Sequence, residues 1–186
     1  MVSLAQLWLP IVLSAVFVFF ASSLLHMVLR FWHGSDGQAF SNEDAVAAAI
    51  RAGNSGAGMY LIPYCKPEAM KDPAMQQKFS SGPVGAVFLR QPGAMNLGAF
   101  LAQWFAYCLL VSLVCAMLAL VLPLGAPHHH VFHTVGLGAL LAYACGPIPN
   151  AIWWGHPWKS AFKHVIDGAI YAVITGATFA WLWPGA

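Results

Sequence analysis

The sequence predicts an all-α integral membrane protein: a four-transmembrane-helix bundle with a small α+β insertion in the cytoplasmic loop between helices 1 and 2. Three observations predict it. Of 186 residues, 60% are hydrophobic and 8% charged, where soluble domains carry roughly 25% charge. Four stretches are long enough to cross a hydrocarbon core of about 30 Å, which takes roughly 20 apolar helical residues. All eight Lys and Arg fall on one side of the topology these stretches imply.

Helix 1 covers residues 7–29. It reads as a retained span, because Met1 to Gln6 has no Lys or Arg and the apolar run exceeds the roughly 7–15 residues of a signal-peptide core. Ala21, Ser22 and Ser23 mimic a cleavage site and keep the cleaved alternative open.

The connection of residues 31–97 is too long for a bare link, so it is expected to carry structure. It opens on the turn-prone stretch His33, Gly34, Ser35, Asp36, Gly37. Ser41 with Asp44 resembles a capping box for a short helix over 45–52 that Gly53 stops. Asp72 before Pro73 opens a second short helix through Phe79. The runs 59–64 and 84–89 have strand-like composition and are placed to pair. The expected result is a small α+β cap on the cytoplasmic membrane surface, gaining its core against the helices; a partly disordered linker is the alternative.

Helices 2, 3 and 4 cover residues 98–122, 131–152 and 161–183. Gly138, Ala142 and Gly146 recur every four residues on helix 3, and Gly168, Ala172, Gly176 and Ala180 on helix 4. In lipid, small residues at this spacing let backbones approach and gain dispersion contacts, which predicts an antiparallel hairpin of helices 3 and 4 or, alternatively, a surface for an oligomer. Pro147 and Pro149 predict a kink or an end to helix 3.

Orientation follows from charge. Arg30, Arg51, Lys66, Lys71, Lys78 and Arg90 lie around the first loop and Lys159 and Lys163 around the third, whereas the N-terminus, residues 123–130 and the C-terminus have none. By the positive-inside rule the first and third loops are cytoplasmic and both termini face the opposite side. Tryptophans agree: Trp8, Trp181 and Trp183 mark one interface, and Trp32, Trp104, Trp153, Trp154 and Trp158 the other.

Candidate sites are of two kinds. Asp167 falls inside helix 4, where a charged acid costs about 2.5–3.5 kcal/mol at a span's centre and so is expected to face protein or water. At similar depth lie His26, Gln103, Tyr107, Asn150, His164 and Tyr171, one or more from every helix. This polar layer is either a relay or ligand pocket with Asp167 and His26 as its titrating pair, or interhelical hydrogen bonding with a Lys163–Asp167 contact at i,i+4. The second candidate is His128, His129, His130 and His133, in which His129 and His133 share a helical face at a spacing suited to a divalent metal; the bland reading is an uncommitted polar cap. His156, in the tryptophan-rich interfacial turn before helix 4, is a further neighbour for the polar layer.

Much other chemistry is absent from the sequence. It contains no GxxxxGK[ST], GxSxG, HExxH or CxxC. Cys65, Cys108, Cys115 and Cys145 have no disulfide or zinc spacing and read as free thiols. A formal charge of +2 without a basic run argues against nucleic acid.

The ending Asp167-Gly168-x-x-Tyr171-x-x-x-Thr175-Gly176-x-x-Phe179-Ala180-Trp181-Leu182-Trp183-Pro184, with Arg30-Phe31-Trp32-His33 at the close of helix 1, resembles small uncharacterised bacterial four-helix membrane proteins. The resemblance covers mainly the first and last helices. It implies a bacterial inner membrane and carries no assigned activity, cofactor or catalytic residue.

Three functions are therefore expected. The leading one is a non-enzymatic accessory or scaffold component acting through lipid, a protein partner or a homo-oligomer. The others are a transporter or channel subunit using the layer around Asp167 and His26, and a metal-dependent membrane protein using the histidines from 128 to 133.

Overall fold

Uninterrupted apolar length makes the first helix, and a change of hydrogen-bond register ends it. The computed structural model describes residues 2–185. A 3-10 turn at Leu4–Leu7 leads into α1 (Trp8–Ser23), which continues as a π-helical turn at Leu24–Val28. There the Leu29 amide donates to the Leu24 carbonyl, five residues back, at 2.9 Å. Leu29 leaves helical geometry (φ −84°, ψ 65°), and the short α2 (Arg30–His33) sets off in a new direction. Such π turns cluster at functional sites, and this one holds His26.

The chain divides into two units. One contains the residues up to Asp36, Asn96–Ala151 and those from His156 on; the other is Gly37–Met95 with Ile152–Gly155. In the second unit, α3 (Glu43–Ala52) is followed by β1 (Gly58–Ile62), a 3-10 turn at Pro67–Ala69, α4 (Pro73–Ser81) and β2 (Gly85–Leu89). The strands pair antiparallel, with Gly58 opposite Leu89 and Ile62 opposite Gly85. Asp72 caps α4 by accepting from the Ala74 amide at 2.9 Å. The start of α3 differs from expectation: Asn42, not Ser41, takes the cap position, and its side chain makes no capping bond.

In the helical unit, α5 (Leu97–Ala119) begins where the Asn96 side chain accepts from the Ala99 amide at 3.0 Å. It ends short of the expected 122. Expected helix 3 is split into α6 (His128–Ala144) and α7 (Pro147–Trp154), because Pro147 has no amide to continue the ladder and is suited to start a helix. The last helix, α8 (Trp158–Trp181), packs against α6 and α1.

The chain is 67% helical. Three helices are long and apolar enough to cross a membrane: Leu4–Val28, Leu97–Ala119 and His128–Trp154. At 24 residues α8 has the length, but Lys159, Lys163 and Asp167 dilute its apolarity. The same helix buries the most: twelve of its residues are inside, including Lys163, Asp167, Thr175 and Thr178. A helix surrounded by protein can carry polar groups that a lipid-facing one cannot.

Small residues explain how α8 gets so close to α6. A Cβ on Gly168 would lie 2.6 Å from the Ala144 Cα, and one on Gly176 2.9 Å from the Phe132 carbonyl oxygen. Ala172 is buried between them. On α6 the facing positions are thus Phe132, Gly136 and the Tyr143–Ala144 pair, not the expected stripe. Gly138 turns instead to α5, where a Cβ would meet Leu118 at 2.9 Å; a Cβ on Gly146 would meet nothing within 4 Å. Ala142 is exposed. The four-residue repeat of small residues identifies close approach but not the neighbour.

Candidate functional site

The sharp turn after α1 brings two residues of α2 and the loop beyond it onto the first half of α8. At the centre is Asp167, 1% exposed. Its Oδ1 accepts from the Trp32 indole Nε1 at 2.7 Å, and its Oδ2 lies 2.7 Å from His33 Nε2. Two more imidazole nitrogens, His26 Nε2 and His164 Nδ1, each stand 3.9 Å from the same Oδ2. The rings stack: His26 on His33 with centroids 4.2 Å apart and planes at 11°, and His33 on His164 at 4.9 Å and 23°.

Each ring's far side matters as much. His33 Nδ1 contacts Asp36 Oδ2 at 2.7 Å, and the other Asp36 oxygen takes the Lys163 ammonium at 2.6 Å. His26 Nδ1 lies 3.0 Å from the Ser22 carbonyl oxygen. A carbonyl only accepts, so His26 donates from Nδ1 and turns its Nε2 toward Asp167. Burial pushes the Asp36 carboxyl up, but the Lys163 and His33 hydrogen bonds and the Lys163 charge outweigh it, and its pKa is lowered to about 2.

His33 is held between two carboxylates. If Nδ1–H donates to Asp36, Nε2 presents a lone pair to a carboxylate oxygen at hydrogen-bond distance, which is repulsive unless something positive lies between them. Lys163 balances Asp36, so the positive charge facing Asp167 comes from a protonated imidazole or from an ion. A buried carboxylate needs a cation, and the choices are a proton or a metal ion.

The group His26, His33, His164 and Asp167 could hold a metal ion: its ligand atoms all lie within 4.8 Å of one another. Tetrahedral bonds of about 2.0–2.1 Å put ligand atoms about 3.4 Å apart, so the wider separations would have to close and the 2.7 Å His33–Asp167 contact to open. Both take side-chain movements of under about 1 Å, within rotamer freedom. Imidazole nitrogens with one carboxylate suit Zn, Fe or Cu rather than Ca or Mg, which take oxygen donors.

A cavity of about 450 Å³ adjoins the group, and His26, His164 and Asp167 form part of its wall. Ser22 and Ser23 also line it, and the rest is apolar and aromatic, including Met27, Leu97, Leu101, Trp104, Tyr143 and Tyr171. The Trp104 indole donates to Ser22 Oγ at 2.7 Å. Among the described residues, the buried Tyr143 and Tyr171 hydroxyls have no hydrogen-bond partner; the Cys108 thiol, a weak partner at best, neighbours the Tyr143 hydroxyl.

Of the expected polar layer, the fold thus brings together His26, His164 and Asp167, with Tyr171 on the shared cavity. Gln103 and Asn150 are exposed and take no part. Tyr107 donates to the Ala142 carbonyl at 2.9 Å and stacks on Trp104. His156 approaches His164 only to 6.3 Å between ring centroids. The expected Lys163–Asp167 contact is replaced by Lys163–Asp36. His128, His129, His130 and His133 lie on the first turns of α6, and they are not part of a metal-competent group among the described residues. The residues that sequence reasoning missed are Trp32, His33 and Asp36. No sequence signal pointed to them, because the π turn and the non-helical Leu29 lie between His26 and His33. No protein family, curated protein or solved structure matches the chain.

Proposed function

We propose that this chain is an integral membrane metalloprotein in which four helices cross the bilayer and His26, His33, His164 and Asp167 hold one divalent ion. The observation that carries the metal is the fixing of two imidazoles from behind, His33 by Asp36 and His26 by the Ser22 carbonyl. Metal-bound histidines almost always donate their other N–H in this way, which sets the tautomer and raises ligand basicity. The accessory or scaffold role rests on the small-residue stripes, the apolar loop and the absence of catalytic motifs, and none of these favours it over a metal site.

A fourth crossing by α8 is supported by its outward face. Phe162, Ile166, Ile170, Val173 and Trp181 are exposed and recur at helical spacing, a stripe fit for lipid. Four crossings, with the cationic loops cytoplasmic, put the cluster in the cytoplasmic half of a bacterial inner membrane.

The test is metal content. Protein purified in mild detergent without chelator is expected to carry about one divalent ion per chain, lost in Asp167→Ala and in His33→Ala while the helical circular dichroism is kept. Absence of any metal in the native protein, with no zinc taken up on titration, would refute the reading. A second reading, proton relay, is favoured by the His33–Asp167 distance of 2.7 Å, which a shared proton also explains. It predicts proton flux in reconstituted vesicles that Asp167→Asn abolishes.

A further inference from the structure

The carboxylate at the centre of the cluster is not equally free at its two oxygens. Asp167 Oδ1 accepts from the Trp32 indole at 2.7 Å, while Oδ2 is the oxygen that the imidazole nitrogens approach, His33 at 2.7 Å and His26 and His164 at 3.9 Å each. Asp167 is almost wholly enclosed, and among the described residues the indole is the donor that satisfies Oδ1. That indole is itself braced. Lys163 Nζ stands 5.9 Å from its ring centroid, and the His33 ring meets it edge-on at 6.1 Å and 78°. An indole N–H only donates, so its hold on Oδ1 persists whatever the imidazoles carry.

We infer that Trp32 is a positioning residue: it keeps Asp167 a one-oxygen ligand and thereby sets the preference of the site for ions content with four donors, Zn or Co, over Mn, which seeks six. The inference deepens the metal reading and rests on it. Three imidazoles and Oδ2 make four donors, the tetrahedral number that zinc takes. A further donor could come only from Oδ1 swinging toward the ion, and that movement stretches its bond to Trp32, a loss in a site that water does not reach. Without the indole N–H, Oδ1 is a buried anionic oxygen with no partner, and chelating the ion is the way to satisfy it. A carboxylate that binds through both oxygens raises the coordination number and the share of oxygen, which suits Mn.

The experiment uses the full chain in mild detergent, with Co, Zn and Mn salts as probes and helical circular dichroism as the check on folding. Cobalt in the parent is expected to give the intense visible absorption of a tetrahedral site. In Trp32→Phe that absorption should weaken, and the preference for Zn over Mn should narrow about tenfold, the low end of what a supporting partner contributes. Trp32→Gln, whose amide nitrogen lies as many bonds from Cβ as the indole nitrogen, is expected to restore both. Infrared difference spectra of the parent, zinc-loaded against zinc-free and with heavy carbon in the aspartate carboxyls, should show the wide carboxylate splitting of one-oxygen binding. The inference is overturned if the parent shows the narrow splitting of a chelating carboxylate, a result that does not depend on any variant folding. It is equally overturned if Trp32→Phe weakens Zn and Mn alike with the cobalt bands unchanged, or if Trp32→Gln behaves as Trp32→Phe. Any of these with metal bound removes this inference alone, whereas a parent that takes up neither Co nor Zn removes the metal reading and this inference with it.

Discussion

Two regions of this protein are rich in histidine, and they differ in every respect that matters for chemistry. His128, His129, His130 and His133 are neighbours in sequence on the first turns of α6. His26, His33 and His164 come from opposite ends of the chain, stack on one another and turn ring nitrogens to a carboxylate that is almost fully enclosed. The first group has several rings on one element. The second has Asp36, Lys163, Trp32 and the Ser22 carbonyl behind it. A run of histidines on one helix supplies donors, but convergence of donors on one point requires several elements, each held from its far side.

The largest expected effect tests that contrast directly. Asp167→Ala removes the one anionic ligand and is expected to abolish stoichiometric metal in the purified protein. Simultaneous His128→Ala, His129→Ala, His130→Ala and His133→Ala is expected to leave the metal content unchanged. Elemental analysis of both variants decides it. If the quadruple variant loses the metal and Asp167→Ala keeps it, the assignment of the two regions is reversed.

Next in size is an effect on packing. Gly168 follows Asp167 immediately, and a Cβ there would meet Ala144 backbone atoms at 2.6 and 2.7 Å. Backbone cannot yield as a side-chain tip can, so Gly168→Val is expected to cost about 3 kcal/mol or more. Because the same shift moves Asp167, metal affinity should fall with thermal stability. Gly146→Ala, with open space around its Cβ, is the control and should stay within about 0.5 kcal/mol. Thermal melts followed by circular dichroism in detergent compare the two; equal melting temperatures would mean that α8 does not depend on this approach.

These two regions also mark how far the sequence could be read. Long apolar runs, the break at Pro147 and the pairing of 59–64 with 84–89 are local patterns, and each has its counterpart in α1, α5, the α6–α7 break and the β1–β2 ladder. Asp167 and His26 were recognisable because an acid or imidazole inside an apolar run demands a partner. His33 and Asp36 were not, because the stretch from His33 to Gly37 has the composition of a turn. Their role depends on the π turn at Leu24–Val28 and the bend at Leu29, which redirect α2 onto α8. No residue in that segment announces the change of register. The small-residue stripe had the same limit: its spacing implied close approach, while the rotation of α6 decided that Gly136, rather than Gly138 of the repeat, meets Ala172.

Asp36→Asn sharpens the comparison further. Asparagine preserves the size and one acceptor oxygen but removes the charge that orients His33 and pairs Lys163. Loss of such a supporting group lowers metal affinity by about 10–100-fold. Competition with a zinc-binding dye measures it. An unchanged affinity would show that His33 needs no support from behind, and the distinction between the two histidine regions would reduce to burial alone.

The smallest effect is expected where polar groups meet between helices without any cation to hold. Ser14 on α1 donates to Ser112 on α5, Oγ to Oγ at 2.9 Å, and both side chains are fully buried. Interhelical hydrogen bonds in membranes average about 0.6 kcal/mol, because the separated helices find other partners. Ser14 Oγ also lies 3.2 Å from the Ile11 carbonyl of its own helix, so such a partner is already at hand. A double-mutant cycle of Ser14→Ala and Ser112→Ala should therefore give a coupling near that value, with metal content unaffected. A coupling several times larger, or loss of metal in either single variant, would mean that the α1–α5 contact helps to hold the histidine cluster together. The contrast between a chemically specific region and an ordinary packed one would then have to be drawn elsewhere in the bundle.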